Sequence, residues 1–250
     1  MKTKIIISGI SGKMGRVVTD CIRNRSDCEA AAGIDLKAGE SSGIKVYRSP
    51  FDCTEKADVL IDFSHPSSLG NLLVYGIKRN LPLVIATTGY SEDEIDELKR
   101  ASHKIPVFFS FNMSLGINLL AGLAKKAAEV LGGQFDIEII EKHHNQKIDA
   151  PSGTAIMLAD KINSARKYEY VYDRHGYRAK RASNEIGIHT VRGGTIPGEH
   201  EIIFAGRDEV LTMSHSAISK EIFAAGAVNA AMFLQNKPAG LYDMSDIASF

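Results

Sequence analysis

Ile5-Ile6-Ile7-Ser8-Gly9-Ile10-Ser11-Gly12-Lys13-Met14-Gly15-Arg16 decides the fold. The isoleucine run is continuous rather than alternating, as in a strand covered on both faces. It breaks into glycines spaced G-x-x-G-x-x-G, after which Val17, Val18, Cys21 and Ile22 recur with helical period. A second apolar run, 29–34, ends in Asp35, twenty positions beyond Gly15. Strand, glycine turn, helix, strand, acid is the order of a dinucleotide-binding unit: the pyrophosphate lies on the first helical amides and the acid bonds the ribose hydroxyls. Glycine spacing alone is weak, because a tight turn that binds nothing looks the same. The β-run before it and the well-placed acid carry the assignment.

Further apolar runs follow at 59–64, 83–89 and 105–110, and they read as parallel strands covered by helices. Between the last two, Ser91 and Glu94 form a capping box for a helix through Ile95 and Leu98. The strand tips are Phe63-Ser64-His65-Pro66, Thr87-Thr88-Gly89 and Ser110-Phe111-Asn112-Met113. In an open α/β sheet, ligands sit beyond the carboxyl ends of the strands, so these tips are expected to border the nicotinamide end of the cofactor. Ordinary loop chemistry is the rival account, and for His65 the preferred one.

A long Leu- and Ala-rich helix is expected over 115–131, ended by Gly132-Gly133. A strand over 135–140 follows, with Phe135, Ile137 and Ile139 on one face and Asp136 and Glu138 on the other. Then Glu141-Lys142-His143-His144-Asn145-Gln146-Lys147-Ile148-Asp149-Ala150-Pro151-Ser152-Gly153-Thr154-Ala155 gathers titratable groups ahead of a helix start. His143 suits an acid or base, Lys147 a proton donor or carboxylate holder, and the amides of Gly153 and Thr154 an anion site. A solvated loop is an alternative reading. A zinc site is another, although no third ligand lies at a metal-like spacing, and no metal is expected. Strands at 185–191, 199–204 and 209–216 lack intervening helices and point to an antiparallel or mixed sheet. A final helix at 220–235, rich in Ala and Gly, is suited to close packing and to a return to the first domain. The segment 167–181, polar and rich in Tyr, Arg and Lys, is expected to be a surface loop.

At 250 residues two domains fit the length. Thirty basic residues balance thirty acidic ones, so the whole-molecule field favours neither nucleic acid nor an anionic membrane. The amino-terminal apolar run is too short for a signal sequence, and no stretch approaches a membrane span. Cys21, Cys28 and Cys53 match no ligand spacing and read as reduced thiols of a cytoplasmic protein.

Nearly the whole chain resembles the dihydrodipicolinate (4-hydroxy-tetrahydrodipicolinate) reductase family of diaminopimelate and lysine biosynthesis. The resemblance rests on the glycine turn, Thr87-Thr88-Gly89-Tyr90, Phe111-Asn112-Met113-Ser114, Arg192-Gly193-Gly194 with Gly198-Glu199-His200, Phe223-Ala224-Ala225-Gly226-Ala227 and, most specifically, His143-His144-x-x-Lys147-x-Asp149-Ala150-Pro151-Ser152-Gly153-Thr154-Ala155. It implies a Rossmann-type doubly wound parallel sheet (1–114 and 222–250) plus a smaller α+β substrate and oligomerisation domain (115–221) with a mixed or antiparallel sheet, assembled as a homotetramer. It implies reduction of a small cyclic dicarboxylate by NADH or NADPH with loss of water. His143 and Lys147 would be the catalytic pair, and His144, Ser152, Gly153 and Thr154 the substrate contacts. The cofactor would meet Gly9, Ile10, Ser11, Gly12, Lys13, Met14, Asp35, Ala86, Thr87, Thr88, Ser110, Phe111, Asn112 and Met113. Hydride arriving on an electron-poor ring carbon leaves negative charge that a proton from Lys147 or His143 must quench. Closure of the two domains would exclude water.

Two departures stand out. Phe233 replaces a frequent Trp, a packing change. Leu36 follows Asp35 where relatives that accept the 2′-phosphate often have Arg; Lys37 is a partial substitute, so NADH is expected to be preferred and NADPH tolerated. The competing readings are another small two-domain amino or imino acid dehydrogenase, and a nucleotide sensor without catalysis. The latter has no need of both His143 and Lys147.

Overall fold

Ile5, Ile6 and Ile7 are all fully buried in β1 (Thr3–Ser8), which is why that run does not alternate. A computed structural model describes residues 1–172, 174–176 and 179–248. The chain divides into two compact units, Met1–Leu115 with the stretch from Lys220 onward, and Gly116–Ser219.

In the first unit β1 leads through the glycine turn into α1 (Lys13–Arg23), then β2 (Cys28–Ile34), β3 (Gly39–Ser41), β4 (Ile44–Tyr47), β5 (Val59–Asp62), α2 (Leu69–Arg79), β6 (Leu83–Ile85), α3 (Glu92–Ser102) and β7 (Pro106–Phe109). With β13 (Gly240–Tyr242) from the end of the chain, eight strands form one sheet in the order β13-β7-β6-β5-β1-β2-β4-β3, parallel throughout except at the β3–β4 hairpin. Ile5, Ile7, Ile61 and Val84 face one core with Val18 and Ile22 of α1; Ile6, Leu60, Leu83 and Ile85 face the other with Leu69, Leu72 and Leu98. The capping box of α3 is formed, with the Ser91 hydroxyl accepting from the Glu94 amide and Glu94 from the Ser91 amide. The short β3 and β4 carry almost no periodic signal and were not anticipated. They meet through Ser42 and Gly43, both in the left-handed region that a tight hairpin turn requires.

The second unit runs from α4 (Leu115–Leu131) through β8 (Asp136–His143), α5 (Gly153–Asn163), β9 (Glu169–Val171), β10 (Glu185–Arg192), β11 (Glu199–Ala205) and β12 (Val210–Ser216). The sheet order is β12-β11-β8-β10-β9, with β8, β9 and β10 parallel and β11 antiparallel to both neighbours. Ile117, Leu120 and Ala124 of α4 and Leu158 and Ile162 of α5 cover Ile137, Ile139, Ile186, Ile188, Ile202 and Phe204. After α6 (Glu221–Leu234), which packs on α1, the chain adds β13 (Gly240–Tyr242) to the edge of the first sheet and ends the described part in α7 (Met244–Ala248).

Two expectations are corrected. The segment 167–181 is not loop throughout: β9 pairs with β10, and Arg174 and Arg181 are tied to Glu185 (2.7 Å), Glu138 (3.0 Å) and Asp136 (2.8 Å). Three strand residues in a polar stretch give no readable alternation, and their register comes from β10. Positions 173, 177 and 178 of that segment lie outside the described residues. The strand expected over 135–140 continues to His143, so Glu141 and His143 share the inward face of Ile137 and Ile139. Among the described residues no helix is long and apolar enough to cross a membrane.

Candidate active site

Strand alternation points four successive odd positions of β8 inward, and the last two are charged or titratable. Glu141 is fully buried and His143 is 8% exposed. An isolated carboxylate there would be untenable, and Glu141 is instead held by five hydrogen bonds. Arg192 of β10 clamps it in bidentate fashion (2.8 Å to each oxygen), and the Ser152 amide (3.0 Å), the Thr190 hydroxyl (3.1 Å) and His143 Nδ1 (2.5 Å) complete the set. Burial pushes the Glu141 carboxyl up, but Arg192, His143 and the Ser152 amide outweigh it and hold the group below the ordinary carboxylate range. The His143 imidazole is lowered by burial and by the charges of Lys147 and Arg192, against the upward pull of Glu141, which leaves the ring neutral at neutral pH.

His200 of β11 packs edge-on to His143, ring centroids 5.2 Å apart, and its Nε2 lies 3.1 Å from the Ser152 hydroxyl. Burial and the neighbouring His143 push the His200 ring down to about 4. Gly198 closes the far side. A Cβ at that position would stand 3.1 Å from His143 Nε2, so only glycine lets the imidazole sit where it does without displacement.

Beyond β8 the chain turns, the Lys147 amide donating to the His144 carbonyl (3.1 Å), and the β10–β11 turn holds it there: the Gly193 amide donates to the His143 carbonyl and the Asn145 amide to the Gly194 carbonyl. Lys147 Nζ sits 2.9 Å from Asp149 Oδ1. Burial would raise Asp149, but Lys147 and the Gly153 amide keep it low. Helix α5 starts at Gly153, with Ser152 as N-cap accepting from the Ala155 amide at 3.1 Å. A Cβ on Gly153 would meet nothing within 4 Å, so the helix terminus opens onto space. The second unit therefore brings together His143, Lys147, Ser152, Gly153 and Thr154, with half-buried His144 at the same strand end. Ser152 is buried with hydroxyl and amide both engaged. Glu141 heads the titratable segment, and Arg192 and His200 belong to the Arg192-Gly193-Gly194 and Gly198-Glu199-His200 motifs, but the sequence gives none of the three a role in this cluster. The local signal for Glu141 is its place two residues before His143, where strand period puts both on one face.

In the first unit a cavity of about 410 Å³ is lined by Gly9, Gly12, Asp35, Leu36, Arg48 and Ser64 among others. The turn is tight: Gly9 has φ +77°, and a Cβ on Gly15 would lie 2.1 Å from the Gly9 carbonyl oxygen. Gly12 caps α1 without a side-chain hydrogen bond, and no acid lies in the first turn, as an anion-binding helix start requires. Asp35 accepts from the Ser11 amide at 3.0 Å, tying the acid to the turn. These features fit a dinucleotide. Residues 86–88 and 110–113 end β6 and β7 of the same sheet but are not among those lining this cavity. The Thr87 hydroxyl donates to buried Asp62 at 2.7 Å, and the Ser110 hydroxyl to the Asn112 carbonyl at 2.9 Å. His65 caps its own turn, its Nδ1 accepting from the Ser67 amide. Among the described residues no three or more His, Cys, Asp or Glu side chains are placed so that they could hold a metal ion together.

A nucleotide-binding sheet and a separate sheet bearing a cluster of titratable side chains belong to a pyridine-nucleotide-dependent oxidoreductase. The amino-terminal model of dihydrodipicolinate reductase matches residues 3–113 and its carboxyl-terminal model residues 116–248. The chain is 52% identical over 249 residues to the 4-hydroxy-tetrahydrodipicolinate reductase of Caldanaerobacter subterraneus, covering 99% of this chain and 98% of that one. It is 47% identical over 246 residues to that of Clostridium tetani, covering 98% and 96%. The solved dipicolinate-bound dihydrodipicolinate reductase of Paenisporosarcina sp. TG-14 superposes with a TM-score of 0.83 at 25% identity, over 99% of each chain. The chain belongs to the dihydrodipicolinate reductase family.

Proposed function

We propose that this chain reduces 4-hydroxy-tetrahydrodipicolinate to tetrahydrodipicolinate with release of water, the reductase step of diaminopimelate and lysine biosynthesis. The juxtaposition of His143, Lys147 and the amino end of α5 carries the reading. Bound reduced nicotinamide supplies the hydride. Gly9, Ile10, Ser11, Gly12, Lys13 and Met14 hold the pyrophosphate on the α1 amides, and Asp35 exchanges the Ser11 amide for ribose hydroxyls. Ala86, Thr87, Thr88, Ser110, Phe111, Asn112 and Met113 border the nicotinamide. Gly153 and Thr154 receive one substrate carboxylate, and His144 makes a further contact. Ser152 supports these groups from behind, since its own polar atoms are engaged. His143 and Lys147 manage the proton that balances hydride addition.

NADH is preferred, because Asp35 repels a 2′-phosphate; NADPH is tolerated, because Lys37 follows and Arg48 lines the same cavity. The protein works in the cytoplasm as a homotetramer built through the second unit's sheet, where Val191, Val210 and Leu211 leave apolar surface exposed. Light scattering on the purified protein tests the assembly. The reaction is tested by mass analysis of the product formed with NADH: a compound one oxygen lighter than the substrate is expected, and unaltered substrate with well-folded protein would reject the reading.

A further inference from the structure

Glu141 is fully buried, so it reaches the site only through the groups it holds, of which His143 is the candidate acid–base residue. Its carboxylate lies 2.5 Å from His143 Nδ1 and cannot donate a proton while ionised, so the bond requires the hydrogen to be on Nδ1. Arg192 grips both oxygens from β10, which removes the carboxylate's freedom to rotate away. The opposite ring nitrogen, Nε2, lies against Gly198, where a Cβ would stand only 3.1 Å away, so the absent side chain is what lets the ring keep this orientation.

We propose that Glu141, clamped by Arg192, is a positioning residue that holds His143 as the Nδ1–H tautomer and so makes Nε2 the ring nitrogen that exchanges a proton in the reaction. The inference rests on the reading of His143 as an acid–base residue and adds which of its nitrogens works. The arrangement is that of a carboxylate orienting an imidazole, with the guanidinium as a third member that keeps the carboxylate ionised in a buried place. Charged and titratable groups reach His143 from every side: Glu141 on its own strand, Arg192 on β10, His200 on β11 and Lys147 in the following turn, with His215 of β12 facing His200. Of these, Glu141 alone is anionic, so its removal acts on His143 in one direction.

The test is nitrogen-15 magnetic resonance of the histidine-labelled full-length protein, with His143→Gln to assign the signal. In the wild type, neutral His143 is expected in the Nδ1–H form, the reverse of what a free imidazole side chain favours in water; the Nε2–H form would overturn the inference without any variant having to fold. In Glu141→Gln the titration midpoint of His143 is expected to fall, with kcat reduced tenfold or more and KM for either ligand changed less than threefold. Glu141→Asp, which keeps the charge, should recover part of the midpoint. An unmoved midpoint, or wild-type kcat in Glu141→Gln, would overturn the inference. Full turnover in His143→Gln would instead sink the acid–base reading on which it rests, so the two failures are distinct.

Discussion

Lys147 Nζ lies 2.9 Å from Asp149 Oδ1, and the Asp149 carboxylate also meets the Gly153 amide at the start of α5. A carboxylate of the chain itself thus engages the amide that the proposed function gives to a substrate carboxylate and the ammonium that it gives to proton transfer. The Asp149 backbone is held separately, its carbonyl accepting from Arg192 Nη2 at 2.6 Å.

Substitution Asp149→Asn should therefore release Lys147 without moving the loop. A partly exposed ion pair contributes up to about 1 kcal/mol, so dipicolinate, a dicarboxylate, should bind roughly two- to fivefold more tightly to the variant. Calorimetric titration measures this, and weaker binding would mean that Asp149 supports the site rather than competing for it.

Lys147→Ala and His143→Ala should each lower kcat by about 100-fold or more while leaving the cofactor dissociation constant nearly unchanged, since proton transfer is made in the transition state. Stopped-flow turnover with fluorescence titration of NADH separates the two quantities. Wild-type turnover in either variant would remove that residue from the mechanism.

Asp35→Ala should weaken NADH by about tenfold, the size of a hydrogen bond to a charged group, and narrow the gap between NADH and NADPH. Arg48→Ala should act oppositely, raising KM for NADPH more than for NADH, because its guanidinium lines the cavity beside Leu36. Side-by-side kinetics with both cofactors decides it; equal effects on the two would place Arg48 away from the 2′-phosphate.

His200 sets a pH dependence of stability. Its folded-state value is pushed down to about 4, whereas in the unfolded chain it titrates near its ordinary value. Between about 4 and 6.5 the unfolded state binds a proton that the folded state refuses, so stability rises with pH through this window and is lost as pH falls. The loss attributable to His200 is up to roughly 3 kcal/mol. Urea unfolding at a series of pH values should show a shallower acid loss in His200→Gln than in the wild type, and parallel curves would contradict the assignment.

The parallel sheet was legible because Ile5, Ile6 and Ile7 are continuous where both faces are covered, and the α3 start because its capping box is local to Ser91 and Glu94. His143, Lys147 and the α5 start were legible for the same reason: they are close in sequence. Glu141 has no role legible in the sequence, because the apolar alternation that marks the strand stops at 140 and its burial is made possible by Arg192, brought alongside through the β8–β10 pairing. Arg48 was missed likewise, since the pairing of β2 with β4 sets it near Leu36, its Nε lying 3.3 Å from the Leu36 carbonyl oxygen. β9 was hidden by its shortness. What sequence withheld was long-range pairing, which determines who shares a buried face.

The central claim is that this chain couples nicotinamide oxidation to 4-hydroxy-tetrahydrodipicolinate. Its most direct test is the steady-state rate of NADH oxidation on addition of that compound to the purified wild-type protein, alongside the His143→Ala, Lys147→Ala double variant. Saturable, substrate-dependent oxidation by the wild type, abolished in a folded double variant, is the predicted result; no oxidation by well-folded wild type with either nicotinamide cofactor would contradict it.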